Sequence, residues 1–187
     1  MARISFARMW QLIDNNYSTY FGKYRTVFTR ELMAAIFWEE TLFENTKQLK
    51  GGPAVGFGQV EKPQIKNINR RFATTFNENG TDVLHSEAQS VQLAGLALAA
   101  VYEDQLDKVK AGKQILPFAR HAALLNYAGW PKNQDKPPRW EACERELLKL
   151  SLGPPPLAVD QSLTAQIKAA LRLSRTANDV QFQATFP

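Results

Sequence analysis

Residues 33–45, Met33-Ala34-Ala35-Ile36-Phe37-Trp38-Glu39-Glu40-Thr41-Leu42-Phe43-Glu44-Asn45, lead through a polar link and Gly51-Gly52-Pro53 into Ala54-Val55-Gly56-Phe57-Gly58-Gln59-Val60. Leu32, Met33, Ile36, Phe37 and Phe43 recur at the spacing of an amphipathic helix. At about 100° per residue these side chains centre near the direction of Glu40, while Glu39 points off to one side. A carboxylate on an apolar stripe loses hydration, which favours its neutral form, the form a general acid needs near neutral pH. The same placement suits a buried ion pair or the edge of a cleft, and spacing alone leaves these readings open.

Thr29 is the candidate N-cap of this helix, and the polar residues from Asn45 to Lys50 mark its end. Gly51-Gly52-Pro53 breaks the pattern. Ala54 to Val60 then predicts a short turn or small β-hairpin, since Gly56 and Gly58 permit positive φ and close backbone approach.

Upstream, Phe6, Met9, Trp10 and Ile13 share one helical face, with Asp14-Asn15-Asn16 as the stop and an irregular segment from Tyr17 to Phe28. Downstream, Ile65, Ile68, Phe72 and Phe76 predict a helix over Lys66 to Thr74, followed by a turn at Asn77-Glu78-Asn79-Gly80. Ser86-Glu87-Ala88-Gln89 matches a capping box and opens an Ala- and Leu-rich helix through Val101. That helix is apolar on most sides and so expected to be central, with Gly95 allowing a close helix crossing. Pro117 opens another helix, through Ala122 and Leu125 to Gly129. Pro131 to Pro138 reads as a loop, a lid or connector. Trp140, Cys143, Leu147 and Leu150 mark a further helix, closed by Gly153 and Pro154-Pro155-Pro156. Asp160 caps a last one carrying Leu163, Ile167, Ala170 and Leu171, and Ala177 to Pro187 has no period. The expected fold is mainly α, with a small Gly-rich turn or β-hairpin beside the Glu40 helix.

The 187 residues suit a single domain, 1–187, with its own core. A net charge of +5 and a pI near 9.4 suit a polyanionic partner such as an anionic cell wall. The basic residues are scattered and only Arg70-Arg71 are adjacent, so no nucleic-acid partner is expected. Cys143 is the only cysteine, which excludes an intramolecular disulfide. His85 and His121 lie far apart without ligand-like neighbours, and neither a metal nor another cofactor is expected. The N-terminal residues lack the apolar core of a conventional secretory signal, and the longest apolar run, Leu93 to Val101, is too short to span a membrane.

Ala35 to Asn45, followed by Ala54-Val55-Gly56-Phe57-Gly58-Gln59, resembles the lysozyme-like superfamily, specifically soluble lytic transglycosylases and goose-type lysozymes. There a helix ends in a catalytic Glu followed by Ser, a further residue and Phe, and a Gly-hydrophobic-small-Gln segment comes after a loop. Here Thr41 stands in the Ser position, while Phe43 and Gln59 fall in place. The Gly95 helix resembles the family's buried central helix, with Gln or Ser where Asn is usual near its start. Leu124-Leu125-Asn126-Tyr127-Ala128-Gly129 resembles the family's Ala-Tyr-Asn-x-Gly segment with Asn and Tyr exchanged, which leaves open which of the two faces the cleft. The resemblance covers residues 32–130 and leaves 131–187 as a C-terminal helical extension.

The resemblance implies a lysozyme-like α+β fold and cleavage of the β-1,4 bond between N-acetylmuramic acid and N-acetylglucosamine in peptidoglycan, with Glu40 as general acid and then base and no cofactor. It implies substrate roles for Gln59, Asn126 and Tyr127. Phe57 and Trp130 have the chemistry to stack on sugar faces, or to lie as lids on the core. A lytic route needs one carboxylate, whereas hydrolysis calls for a second, for which Glu61 is the nearer candidate and Asp82 the other. Alternatives are a chitinase or chitosanase of the same fold, or a small basic binding protein in which Glu40 is merely buried. Without a conventional signal, a wall-cleaving enzyme would be made in the cytoplasm and reach the cell wall as the toxin of a contact-dependent secretion system or as a phage lysis enzyme. A toxin implies an immunity protein as a second partner.

Overall fold

The computed structural model describes residues 3–20, 24–48, 52–129 and 131–175. Within them lie eight helices and one two-stranded antiparallel sheet. The order is α1 (Phe6–Tyr20), α2 (Arg30–Thr41), β1 (Ala54–Val55), β2 (Val60–Glu61), α3 (Lys62–Phe72), α4 (Thr81–His85), α5 (Glu87–Lys110), α6 (Leu116–Tyr127), α7 (Lys136–Lys149) and α8 (Gln161–Arg172). No described helix is long and apolar enough to cross a membrane.

Two buried helices organise the rest. α5 packs against α1, α3, α4 and α6, and α2 lies between α1 and α7. One apolar core joins Trp10 of α1, Phe37 of α2, Leu98 of α5, Trp140 of α7 and Leu171 of α8. Residues 131–175, beyond the segment that carries the resemblance, contribute Trp140, Leu147 and Leu171 to this core. Thr29 caps α2 as expected, its Oγ1 accepting the Leu32 amide at 3.1 Å. Ser86 does the same for α5 and Asp160 for α8.

Several boundaries differ from the sequence pattern. α1 runs through Asp14-Asn15-Asn16 to Tyr20, because tertiary partners satisfy the polar side chains that read as a stop. Asn16 donates to the Leu12 carbonyl at 2.7 Å and accepts from Gln92, and Asp14 pairs with Arg30. α5 continues past Val101 to Lys110, its polar turns supported by the Arg71–Asp104 ion pair at 2.7 Å. α3 starts earlier than expected, at Lys62, with Pro63 in its first turn, where no intrahelical N–H is needed. The short helix α4, starting after left-handed Gly80, falls in a stretch where the sequence pattern shows none.

α2 departs most in character. Every residue from Glu31 to Trp38 is buried, so the helix is enclosed all round rather than amphipathic. It ends at Thr41, earlier than expected, because Leu42 and Phe43 both take left-handed conformations, with φ of 54° and 60°. The Leu42 amide closes the helix on the carbonyls of Phe37 and Trp38. Left-handed non-glycine residues cost on the order of 1–3 kcal/mol each and persist where surrounding contacts overdetermine them. Both side chains are buried, with Phe43 edge-on to Trp38 at 5.0 Å.

Glu31 suits the positive end of α2 but is buried, and desolvation pushes its carboxyl above the ordinary 4.5, with Glu144 adding to the rise. The folded state then holds a proton more tightly than the unfolded chain, so this group's contribution is fully present below pH 4.5 and is lost as pH rises through the raised value. Glu31→Gln removes that loss. The melting temperature of the variant should exceed that of the wild type at pH 7, with the gap closing as the pH falls below 4.5 in a thermal-melt series.

Candidate active site

Glu39 and Glu40 emerge, partly exposed, where the otherwise buried α2 reaches its C-terminal end. The negative end of a helix is a poor place for two carboxylates. α7 compensates: Lys136 and Arg139, three residues apart and so on one helical face, each meet one of them. The Lys136 ammonium donates to Glu40 Oε1 at 2.8 Å, and Arg139 Nη2 donates to Glu39 Oε1 at 3.1 Å. Glu40 thus sits in an ion pair at a cavity wall, not on a dry apolar stripe.

The two carboxylates differ in surroundings. Glu39 Oε2 is buried and has no hydrogen-bond partner among the described residues, and desolvation pushes the Glu39 carboxyl up, against the lowering influence of Arg139 and Lys136. Glu40 instead lines an open cavity of about 580 Å³.

The second wall is the hairpin. Ala54 pairs with Glu61 and Val55 with Val60, and the preceding segment adds a bridge from Lys47 to Val55. Gly56, at φ 80°, has no room for a Cβ, which would stand 2.6 Å from Ser90 Oγ. That hydroxyl accepts the Phe57 amide at 2.7 Å. Thr41 Oγ1 donates towards the Phe57 carbonyl at 3.2 Å, tying the residue after Glu40 to the turn.

Phe57 itself is fully buried against Phe37, with centroids 5.9 Å apart, so it is a core residue and not a sugar platform. Gln59, left-handed at φ 50°, donates its amide to the carbonyls of Gly56 at 2.9 Å and Thr46 at 3.2 Å. It lines the cavity, but its NH₂ braces the turn instead of bonding the Glu40 carboxylate.

The end of α6 forms the third wall. Tyr127 and Asn126 both line the cavity. The Tyr127 hydroxyl donates to the Gly58 carbonyl at 2.8 Å, locking α6 to the hairpin. Burial and then the Glu40 charge push its phenol well above the ordinary range, so it remains a donor. Asn126 is exposed and anchored on the Ala122 carbonyl at 2.6 Å. Trp130, the remaining substrate candidate, lies outside the described residues, as does the tail Ala177 to Pro187.

Gly58 sits at this junction, where a Cβ would stand 2.4 Å from the Tyr127 hydroxyl and 2.6 Å from Ala94 Cβ. Gly58→Ala should cost about 1–3 kcal/mol by urea denaturation, as overpacking does. It should also break the Tyr127 bond that aligns two walls of the cavity.

Of the second-acid candidates, Glu61 joins Glu40 on the cavity lining. Its amide is capped by Gln64 Oε1 at 3.0 Å at the start of α3. Asp82 does not join them: its carboxylate accepts the Asn77 and Val83 amides and borders a different depression, with Thr74 and Gln92.

Lys132, Asn133 and Lys136 also line the cavity, from a stretch whose sequence pattern marks only a lid or connector. Lys136 starts α7, with Pro137 and Pro138 in its first turn, where proline is tolerated. The Pro-Pro pair thus starts a helix, and the packing of α7 on α2 brings Lys136 and Arg139 to Glu40 and Glu39. Asn133 donates to the Ala128 carbonyl at 2.7 Å and fixes the segment between α6 and α7.

Comparison of the chain with protein-family models, curated proteins and solved structures finds no match. The site is therefore defined by its own chemistry: a carboxylate at a helix end, paired with one lysine, facing a polar cavity with a second carboxylate and amide and phenol groups on its walls.

Proposed function

We propose that this protein is a peptidoglycan-cleaving glycosidase of lysozyme-like type, with Glu40 as the proton-transferring carboxylate. One observation carries the reading. Three of the four segments that resemble the family, the α2 end, the Gly56–Gln59 turn and the Asn126–Gly129 stretch, border a single cavity that Glu40 lines, and the fourth, the Gly95 helix, is not on its lining. Tyr127 and Gly58 lie 69 positions apart, so the meeting of the α6 end with the hairpin is independent of the short motifs themselves.

In this reading Glu40 gives its proton to the glycosidic oxygen, and the C1–O bond breaks with its electron pair leaving on the N-acetylglucosamine oxygen. The muramoyl 6-hydroxyl then attacks C1 and returns its proton to Glu40, closing a 1,6-anhydro ring. For this to occur Lys136 must leave Glu40, and the released carboxylate must take up a proton from solvent through the open cavity before it acts as the acid. A free carboxylate of the substrate, on the stem peptide or on the lactyl group of a peptide-stripped strand, is a suitable new partner for the Lys136 ammonium, with Lys132 on the same lining, so binding an anionic glycan releases Glu40. A neutral chitin strand offers no such exchange.

Glu61 on the same cavity supports a second reading, hydrolysis, in which it positions the attacking water. Mass spectrometry of glycans released from purified peptidoglycan separates the two. Anhydro-muramoyl ends mark the lytic route. Reducing muramic ends that vanish in Glu61→Gln mark hydrolysis. Cleavage of chitosan with peptidoglycan left intact would remove the peptidoglycan assignment.

A further inference from the structure

The described residues include six exposed large apolar side chains, and three of these, Ile115, Leu116 and Phe118, fall in one four-residue tip made by the N-cap and first turn of α6. They are the most exposed of the six, at 59%, 57% and 61%. Pro117 between them is exposed as well. Isolated surface leucines are ordinary, whereas a contiguous apolar tip marks a contact surface.

The tip is held in place. The Lys113 amide donates to the Lys108 carbonyl at 2.9 Å, the Phe118 amide to the Ile115 carbonyl at 3.1 Å, and Pro117 fixes the first turn of α6. α5 and α6 pack along one another beneath it. The side chains thus project from a rigid base and little entropy is lost on docking them.

Its surroundings are basic. Lys108 and Lys110 in the last turn of α5 and Lys113 in the connecting turn are all exposed. The acidic group among them is Asp107, which pairs with Lys110 at 3.1 Å. Three lysines against one aspartate leave residues 107–118 positive by two charges.

We propose that this tip docks on an anionic lipid bilayer. Ile115, Leu116 and Phe118 enter the interface, while Lys108, Lys110 and Lys113 lay their stems along it and meet headgroup phosphates. A protein partner fits less well, since four side chains fall far short of the roughly 800 Å² per partner that a stable protein interface needs. The tip lies outside the lining of the Glu40 cavity, so the proposal stands apart from the glycosidase reading.

The test is co-sedimentation of the full chain with vesicles of phosphatidylglycerol and phosphatidylethanolamine, against phosphatidylcholine vesicles, at physiological salt. Binding should favour the anionic vesicles by about tenfold or more. The double variant Leu116→Ser/Phe118→Ser should lower it by about tenfold or more, with an unchanged circular dichroism spectrum. In Phe118→Trp, brominated lipids should quench the new fluorescence, which places the side chain among acyl chains. Equal binding by wild type and double variant, absence of quenching, or no binding at all would overturn the proposal. So would concentration-dependent self-association that the double variant abolishes, which would assign the tip to a second copy of the chain.

Discussion

Glu40→Gln is expected to reduce release of glycan fragments from peptidoglycan by about 100- to 10,000-fold, the range that a positioned proton-transfer group supplies. Gln preserves the shape of the side chain and an acceptor for Lys136, but it neither gives nor takes the proton. The Lys136 ammonium borders the cavity and keeps a route to solvent, so the fold should survive. The melting temperature should move by less than about 4 °C, equivalent to about 1 kcal/mol in a chain of this size. Glu39→Gln is the matched control. Its carboxylate is held by Arg139 with one oxygen buried, and the variant should keep activity within about tenfold of the wild type, well short of the loss expected from removing the acid. Full activity in Glu40→Gln would end the assignment, and an inactive Glu39→Gln beside an active Glu40→Gln would reverse it.

The largest effect on stability is expected at Glu144. This α7 carboxylate is buried and joins three elements. It accepts the Thr29 hydroxyl at 2.5 Å at the N-cap of α2, and its other oxygen accepts from Arg120 Nη2 on α6. Arg120 also donates to Glu141 at 2.8 Å and to the Val27 carbonyl at 2.8 Å. Glu144→Ala leaves the guanidinium without its most buried partner and frees the cap hydroxyl. Removing one member of such a pair costs about 3–5 kcal/mol, which urea denaturation should read directly. The double variant Arg120→Met/Glu144→Leu should recover most of that loss, since apolar groups of similar volume often replace a buried pair at little cost. A loss under about 1 kcal/mol in Glu144→Ala would show that the network holds nothing together. Because α7 also carries Lys136 and Arg139, a loosened α7 should lower activity as well.

Local signals were legible where they repeat or stand at a chain-encoded boundary. Thr29, Ser86 and Asp160 cap α2, α5 and α8 as their side-chain chemistry dictates. Gly56 and Gly58 mark a hairpin because no Cβ fits there. Periodicity failed where both sides of a helix are buried. α2 reads as amphipathic from its apolar residues, yet it is enclosed by α1 and α7, and that enclosure depends on residues a hundred positions away. For Phe57 the sequence leaves a sugar face and the core both open, and packing against Phe37 places it in the core.

Periodicity, caps and breakers encode a mainly helical chain and a glutamate at the end of its second helix. What that glutamate faces is set by contacts between distant elements. Lys136 and Glu40 lie 96 positions apart, and no local propensity encodes their 2.8 Å contact. It arises because α7 packs on α2, and a contact between elements so far apart in the chain exists only once the core has closed.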